Sequence, residues 1–187
     1  MSVQVAVAIA LIVGIAIGVA AIYLVQQTKT RRLKERFGPE YARVLEQTGN
    51  RSAAEAKLEG RQRRVAKLHI RSLESDERIQ FQESWRAIQA RFVDDPNAAL
   101  SDADHLIGQV MSVEGYPMRE FEERAGDISV DHPVVTENYR EGHTIATRNV
   151  QGRATTEDLR KAMIHYRTLF EELIGQHALA PAERTRS

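Results

Sequence analysis

Residues 5–25 read VAVAIALIVGIAIGVAAIYLV, and the organisation of the whole chain follows from this run. It contains no charged side chain over 21 residues. About 20 apolar residues in a helix cross a hydrocarbon core of roughly 30 Å, and a helix satisfies the backbone hydrogen bonds that lipid cannot. The run therefore predicts a transmembrane anchor within residues 1–27. A helix buried in a protein core is the alternative, and the length and uniformity of the run argue against it.

A cleavable signal peptide is the second alternative, because such peptides place positive charge before a shorter apolar stretch. The segment Met1–Gln4 carries no Lys or Arg. Gly18 and Ala20 could resemble a cleavage site, but they lie inside the apolar run. We therefore expect the anchor to be retained, with a cleaved and exported chain as the remaining alternative.

Basic residues closely follow the apolar run: Lys29, Arg31, Arg32, Lys34 and Arg36. Positive flanks stay on the cytoplasmic side, so we expect a single-pass protein of the plasma (inner) membrane with its N-terminus outside and its remaining domain cytoplasmic. Residues 29–71 hold 13 Lys and Arg against 5 Asp and Glu, whereas residues 72–187 hold 13 against 21. The asymmetry predicts a basic stem at an anionic lipid surface and an acidic region beyond it.

Small residues recur every fourth position in the apolar run, at Ala6, Ala10, Gly14 and Gly18. On a helix this spacing stacks them along one face, where two membrane helices can approach closely. The pattern predicts self-association through this face, although Ala and Gly are also common in membrane helices generally.

The rest of the chain consists of helical patterns separated by Gly and Pro. Breaks are predicted at Gly38-Pro39, Gly49, Asp95-Pro96, Gly115 and Gly152, because Gly ends helices and Pro begins them. The predicted helices cover residues 39–47, 51–69, 75–92, 96–114, a short segment around Phe121, 131–150 and 155–174.

Each longer helix carries apolar residues on one face. Phe81, Trp85 and Ile88 show this spacing, and the same rule predicts that Val150 is buried. No segment alternates as a strand does. The predicted fold is all-α: a transmembrane anchor (1–27), a basic helical stem (28–71), a small helical bundle (72–175) and a flexible tail (176–187).

Four short motifs occur together in order: RFGPEY at 36–41, ARFVDDP at 90–96, GYP at 115–117 and VDHP at 130–133. In this combination the chain resembles an uncharacterised family of small bacterial single-pass membrane proteins. The resemblance implies the anchor and a bacterial setting. It implies no activity and no catalytic residues.

Two groups of residues are candidates for chemistry. Asp102 and His105 are three apart on one helix and, with His143, form a candidate metal site, although di-metal bundles use a second such pair that is lacking here. Acidic residues at a helix start are also favoured by the helix dipole alone. An acid/base pair is the second possibility, drawn from Asp131, His132, Glu137, Glu141 and His143. Asp131 and His132 could equally be caps before Pro133, and His143 and His165 lie beside apolar stripes, where core histidines are common.

The chain has no cysteine, so a disulfide framework and a Cys-based zinc site are excluded. No cofactor motif is present. A basic cluster at Arg61, Arg63, Arg64 and Lys67 could attract nucleic acid, but it has no interleaved aromatic residues, and a membrane surface explains the same charges. Nucleic acid is therefore not an expected partner.

The sequence favours a non-enzymatic interaction or scaffold module at the cytoplasmic face of a bacterial membrane. Its expected partners are the lipid bilayer and either another protein or a second copy of the chain. The alternative is a membrane-tethered metal-binding or hydrolytic domain that uses the Asp and His residues.

Overall fold

The structure is a computed structural model that describes residues 3–175, and the side chains of residues 13–175. Within this part of the chain there are eight helices and no strand, so the all-α prediction is confirmed. The helices are α1 (Val3–Phe37), α2 (Pro39–Thr48), α3 (Arg51–Val65), α4 (Ser75–Arg91), α5 (Pro96–Glu114), α6 (Phe121–Ile128), α7 (Thr136–Val150) and α8 (Thr156–Gly175). The predicted tail, residues 176–187, lies outside the described residues.

The predicted helix ends at Gly and Pro are confirmed. Gly49, Gly115 and Gly152 all adopt positive φ, at 62°, 101° and 67°. In this left-handed conformation glycine avoids the steric cost of a Cβ, which explains why the helices stop there. Pro39 and Pro96 each begin a helix, and the Asp95 carboxylate caps α5 by accepting from the Ala98 amide at 3.1 Å.

Two predicted boundaries are wrong. Helix α3 ends at Val65 instead of residue 69, because the following segment packs along the end of α5, where the Arg71 amide donates to the Glu114 carbonyl at 2.9 Å. Helix α7 begins at Thr136 and not near residue 131. Turns occupy the residues between, where the His132 amide donates to the Ile128 carbonyl at 2.8 Å.

Two finer predictions also need correction. Ser75, which is of a residue type that favours helix caps, is predicted to cap the helix 75–92, but the cap of α4 is Glu74, whose amide donates to the Glu77 carboxylate at 2.9 Å in a capping box. Val150 is 82% exposed and not buried. The buried face of α7 centres on Gly142, because α7 approaches the Tyr166 ring so closely that a Cβ there would lie 3.1 Å from it.

The chain divides into two compact units, the first ending at Leu58 and the second beginning at Glu59. Buried residues of the first unit come from α1, α2 and the start of α3, and include Phe37, Val44 and Ala54. The predicted limits of the stem and the bundle, on either side of residue 72, stay predictions.

In the second unit, a helical bundle of α4, α5, α7 and α8 forms one apolar core, which α6 joins through Ala125 and Ile128. Within this core the Trp85 and Phe170 rings stack, with ring centroids 4.8 Å apart. Aromatic pairs in this geometry add to the stabilisation that comes from burying their area.

Candidate functional site

The apolar part of α1 is exposed on all sides in the part of the chain that the structure describes. From Val13 to Val25 every residue is exposed, and the large apolar side chains among them expose between 50% and 68% of their surface. Successive residues of a helix point about 100° apart, so Ile15, Ile17 and Val19 cover different faces. An apolar surface of this extent is a typical binding surface for lipid or protein.

Among the residues whose side chains the structure describes, no helix is long and apolar enough to cross a membrane. The first eight residues of the predicted transmembrane run, 5–12, lie outside that set, and so do Ala6 and Ala10 of the predicted packing face. At Gly14 and Gly18 an added Cβ would meet nothing within 4 Å. Self-association through this face stays a prediction.

The predicted membrane-surface residues Lys29, Arg31, Arg32, Lys34 and Arg36 all lie on the same helix as the apolar run, without a break. All but Lys29 are exposed. Arg31 forms an ion pair with Glu35 at 2.7 Å, and the Lys34 Nζ lies 5.5 Å from the centre of the Tyr41 ring. The helix therefore displays a dense positive charge directly after its apolar part.

A buried carboxylate, Glu55, ties the start of α3 to this basic segment. Its Oε1 accepts hydrogen bonds from the Thr30 hydroxyl at 2.6 Å, Arg51 Nε at 3.0 Å and the Tyr41 hydroxyl at 3.2 Å. Burial alone would raise the pKa of Glu55, but these three hydrogen bonds outweigh it and lower the pKa. One signal of this network is visible in the sequence, the four-residue spacing of Arg51 and Glu55 on a helix.

In the second unit, three helices bring Asp104, His143 and Tyr166 together. Asp104 Oδ1 accepts from the Tyr166 hydroxyl at 2.6 Å and lies 3.4 Å from His143 Nδ1. Burial alone would raise the pKa of Asp104, but the bonds from His143 and Tyr166 lower it. The His143 ring also stacks on Phe121, with centroids 3.7 Å apart.

This arrangement fixes the orientation of a histidine whose side chain is 30% exposed. An imidazole held by a carboxylate is an arrangement used in general acid and base catalysis. Burial also raises the pKa of the neighbouring Tyr139 and Tyr166 hydroxyls above their usual value, so they stay protonated. The pair is therefore a candidate for proton transfer.

The candidate metal residues lie apart. Asp102 forms an ion pair with Arg91 at 2.7 Å, and His105 Nε2 lies 3.2 Å from the Gln109 side-chain nitrogen. His143 is paired with Asp104, as described above. In the part of the chain that the structure describes, no group of three or more His, Asp or Glu residues is placed to hold a metal ion.

The other candidate acid/base residues are spread over the second unit. Asp131 accepts from the Tyr116 hydroxyl at 2.9 Å, and the buried His132 lies 3.4 Å from Glu172. His165 lies 2.9 Å from the Asn138 side chain. Glu137 and Glu141 are exposed on α7. Two histidines of this set therefore lie beside a carboxylate, His132 beside Glu172 and His143 beside Asp104, and of these two the His143 side chain is the more exposed, at 30% against 5%.

Two residues of the predicted basic cluster point into the second unit. Arg64 Nε donates to Asp127 Oδ1 at 2.7 Å, and Arg61 Nη1 donates to Ser129 Oγ at 3.4 Å. Asp127 and Ser129 are fully buried. Arg63 and Lys67 remain exposed. Half of the cluster therefore serves internal packing, and the surface charge available to a nucleic acid or a membrane is correspondingly smaller.

Sequence reasoning missed a buried acid, Glu114, at the end of α5. The residue is 1% exposed, and neither carboxylate oxygen has a hydrogen-bond partner among the described residues. Burial raises the pKa of Glu114 to about 8; the Arg71 charge opposes this in part, and the Asp131 charge adds to it. No local pattern could have revealed it, because the burial comes from elements distant in sequence.

Comparison with known proteins gave no matching family model, no matching curated protein and no matching solved structure.

Proposed function

We propose that this chain is a membrane-anchored helical protein that acts as a non-enzymatic interaction module at the cytoplasmic face of a bacterial membrane. One observation carries the proposal: the described apolar residues of α1, Val13 to Val25, are exposed on every side of the helix. Burying apolar surface is favourable by about 25 cal/mol per Å², so such a segment is strongly driven into lipid or against protein.

The arrangement along α1 favours lipid over a protein groove. A run of 21 apolar residues from Val5 would be roughly 32 Å long as a helix, close to the thickness of a hydrocarbon core. A groove in a protein covers one face of an amphipathic helix, whereas here every face is apolar. The basic residues that follow add attraction to anionic lipid, up to about 1 kcal/mol for each residue near the surface.

The interaction role is supported by the charge of the second unit. Exposed acidic side chains on α6 and α7, such as Glu123, Glu137 and Glu141, face solvent. Such a surface is repelled by anionic lipid and attracts a basic protein segment. The protein partner is therefore expected to be positively charged where it meets α6 and α7.

Membrane fractionation tests the anchor. The full-length protein is expected to stay in the membrane pellet after alkaline carbonate washing, and Ile15→Lys combined with Ile22→Lys is expected to release it. The matched control, Ile15→Leu with Ile22→Leu, keeps the apolar surface and is expected to stay in the pellet. Release of the unsubstituted protein by carbonate would contradict the anchor.

In-cell crosslinking followed by mass spectrometry tests the interaction role. A stoichiometric partner crosslinked to α6 or α7 is the expected result. Charge reversal at Glu137 and Glu141 is expected to weaken that crosslink, whereas reversal at Glu157, an acid on α8, is expected to leave it. Recovery of the protein alone would argue against the interaction role. Recovery only with a second copy, lost on Gly14→Ile with Gly18→Ile, would identify the partner as the chain itself.

A hydrolytic function is the second candidate, and the Asp104–His143 pair is the observation that favours it. A general base of this kind would activate water or a substrate hydroxyl. Hydrolysis of activated esters and phosphate esters by the full chain, lost in His143→Gln and retained in His165→Gln, is the expected result if this candidate is correct. Equal rates in all three proteins would exclude it for those substrates.

A further inference from the structure

An open groove lies on the first unit, beside the point where α1 changes from apolar to basic. Its volume is about 380 Å³, within the range of roughly 300–1,000 Å³ that is usual for small-ligand sites. Its lining includes Tyr23 and Thr30 from α1 and three cations, Arg31, Lys34 and Arg51. We refer to it as the cationic groove.

The cationic groove lies at the level of the lipid headgroups if the apolar run occupies the hydrocarbon core. Thr30 is five residues beyond Val25, which is about 7.5 Å along a helix. The headgroup layer of a bilayer extends roughly 5–8 Å beyond the hydrocarbon on each side. Arg51 donates a hydrogen bond to the Thr30 hydroxyl, so its guanidinium lies at the same level.

Arg51 is held in place while its side chain stays accessible. Glu55 and Thr30 accept from it on one side, and 57% of the side chain is exposed. A guanidinium fixed in this way presents its remaining N–H groups in a planar fork, the geometry that binds two oxygens of a phosphate. Arg51 belongs to α3, so its charge is added to those of α1 only because the chain folds back on itself.

The other charges of the groove also favour an anion. Arg31 and Lys34 contribute two more cations, and Glu35, which pairs with Arg31, is the one acid of the lining. Glu55 is buried and its Oε1 already accepts three hydrogen bonds, so it acts as the support of Arg51. The Tyr23 ring lies at the membrane side, where aromatic residues commonly contact the headgroup boundary.

We propose that the cationic groove binds the phosphate of an anionic phospholipid headgroup, with Arg51 as the main phosphate-binding residue. This inference rests on the proposed membrane anchoring. It goes beyond a diffuse attraction between a basic segment and a charged surface. In a diffuse attraction every exposed cation counts alike, whereas a bound headgroup depends on Arg51 far more than on Arg36, which does not line the groove.

The test uses the full chain purified in detergent with equal amounts of phosphatidylcholine and phosphatidylglycerol, with native mass spectrometry to count the lipids retained. The unsubstituted protein is expected to retain phosphatidylglycerol in preference. Arg51→Gln is expected to lower that retention about fivefold, the equivalent of losing one charged contact. Arg36→Gln is the matched control and is expected to leave it nearly unchanged. Equal losses in the two variants would overturn the proposal in favour of diffuse attraction.

Two further measurements complete the test. Excess inorganic phosphate is expected to leave the retained lipid in place; its displacement would show that the groove binds free phosphate and would overturn the lipid assignment. If Arg51→Gln loses helical content by circular dichroism, Lys34→Gln replaces it. Reduced phosphatidylglycerol retention in that variant would support the proposal, and unchanged retention would overturn it.

The same proteins separate this inference from the anchoring on which it rests. Protein that resists carbonate extraction yet shows no preference for phosphatidylglycerol would leave the anchor standing and remove the groove as a lipid site. Protein that carbonate releases from membranes, but that retains phosphatidylglycerol through Arg51 in detergent, would contradict the anchor and leave the groove standing as a lipid site.

Discussion

Glu114 makes the stability of the second unit depend on pH in a direction opposite to that of most acids. Its pKa is raised from 4.5 to about 8, because burial disfavours the charged carboxylate and no described group bonds to either oxygen. The folded chain therefore keeps this proton between about pH 4.5 and pH 8, where the unfolded chain has released it. The contribution of the protonated Glu114 to stability is complete below about pH 4.5, the pKa of the carboxyl in the unfolded chain. It is lost as the pH rises through about 8, its pKa in the folded chain.

The size of the effect follows from the shift. Each pKa unit corresponds to about 1.4 kcal/mol, so the shift of Glu114 allows a change of roughly 5 kcal/mol at most across this pH range. The substitution Glu114→Gln preserves the shape of a protonated carboxyl and cannot ionise. We expect the variant to have nearly the stability of the unsubstituted protein at about pH 5 and to be several kcal/mol more stable at about pH 9.

Trp85 provides the assay. It is the one tryptophan of the sequence, and its ring is buried against Phe170 in the bundle core. Urea unfolding of the detergent-solubilised protein, followed by tryptophan fluorescence, therefore reports on the second unit. Glu141→Gln, an exposed change on α7, is the control and should show no such dependence. If the stability difference between Glu114→Gln and the unsubstituted protein is the same at both pH values, the reasoning about Glu114 is refuted.

Three further substitutions test the packing. Gly142→Ala places a Cβ 3.1 Å from the Tyr166 ring and should destabilise the second unit by about 1–3 kcal/mol in the same urea assay; an unchanged midpoint would mean that the ring moves aside easily. Gly60→Ala, in the middle of α3 and in open space, should instead stabilise by about 0.5–1 kcal/mol, and a loss of stability would contradict the helix there. Asp127→Ala removes the buried acceptor of Arg64 and should cost about 2 kcal/mol at low salt, whereas a neutral result would show that solvent replaces it.

The helix boundaries could largely be read from the sequence because their causes are local. Gly49, Gly115 and Gly152 end helices through their own backbone freedom, and the Asp95-Pro96 pair begins one through its own side chain and ring. The end of α3 and the start of α7 could not be read in this way. The end of α3 depends on a bond to Glu114, which lies far along the chain and which a local pattern does not contain. The start of α7 is delayed by turns that follow α6, in which the His132 amide bonds to the Ile128 carbonyl.

The sequence pointed to Asp and His residues for the candidate site, but not to the pair that meets in the structure, Asp104 and His143. Spacing on α5 drew attention to Asp102 and His105, which lie on one helix face. In the structure it is Asp104 that contacts His143. Leu100 and Ile107 lie on the buried face of α5, and Asp104 lies between them on the same face. The rotation of one helix against its neighbours decides which carboxylate meets the histidine. That rotation depends on the packing of the core as a whole.

The unbroken helix α1 also has a mechanical consequence. Its 35 residues form a rod of roughly 52 Å, and the Thr30–Glu55 bond clamps the start of α3 to it beyond the apolar part. A membrane helix answers a change of bilayer thickness by tilting. If α1 lies in a membrane as proposed, a tilt of its apolar part would also move its basic part, because the helix is continuous from Val13 to Phe37. Arg51 would then move relative to the headgroups, and the occupancy of its proposed phosphate contact would depend on the thickness of the membrane.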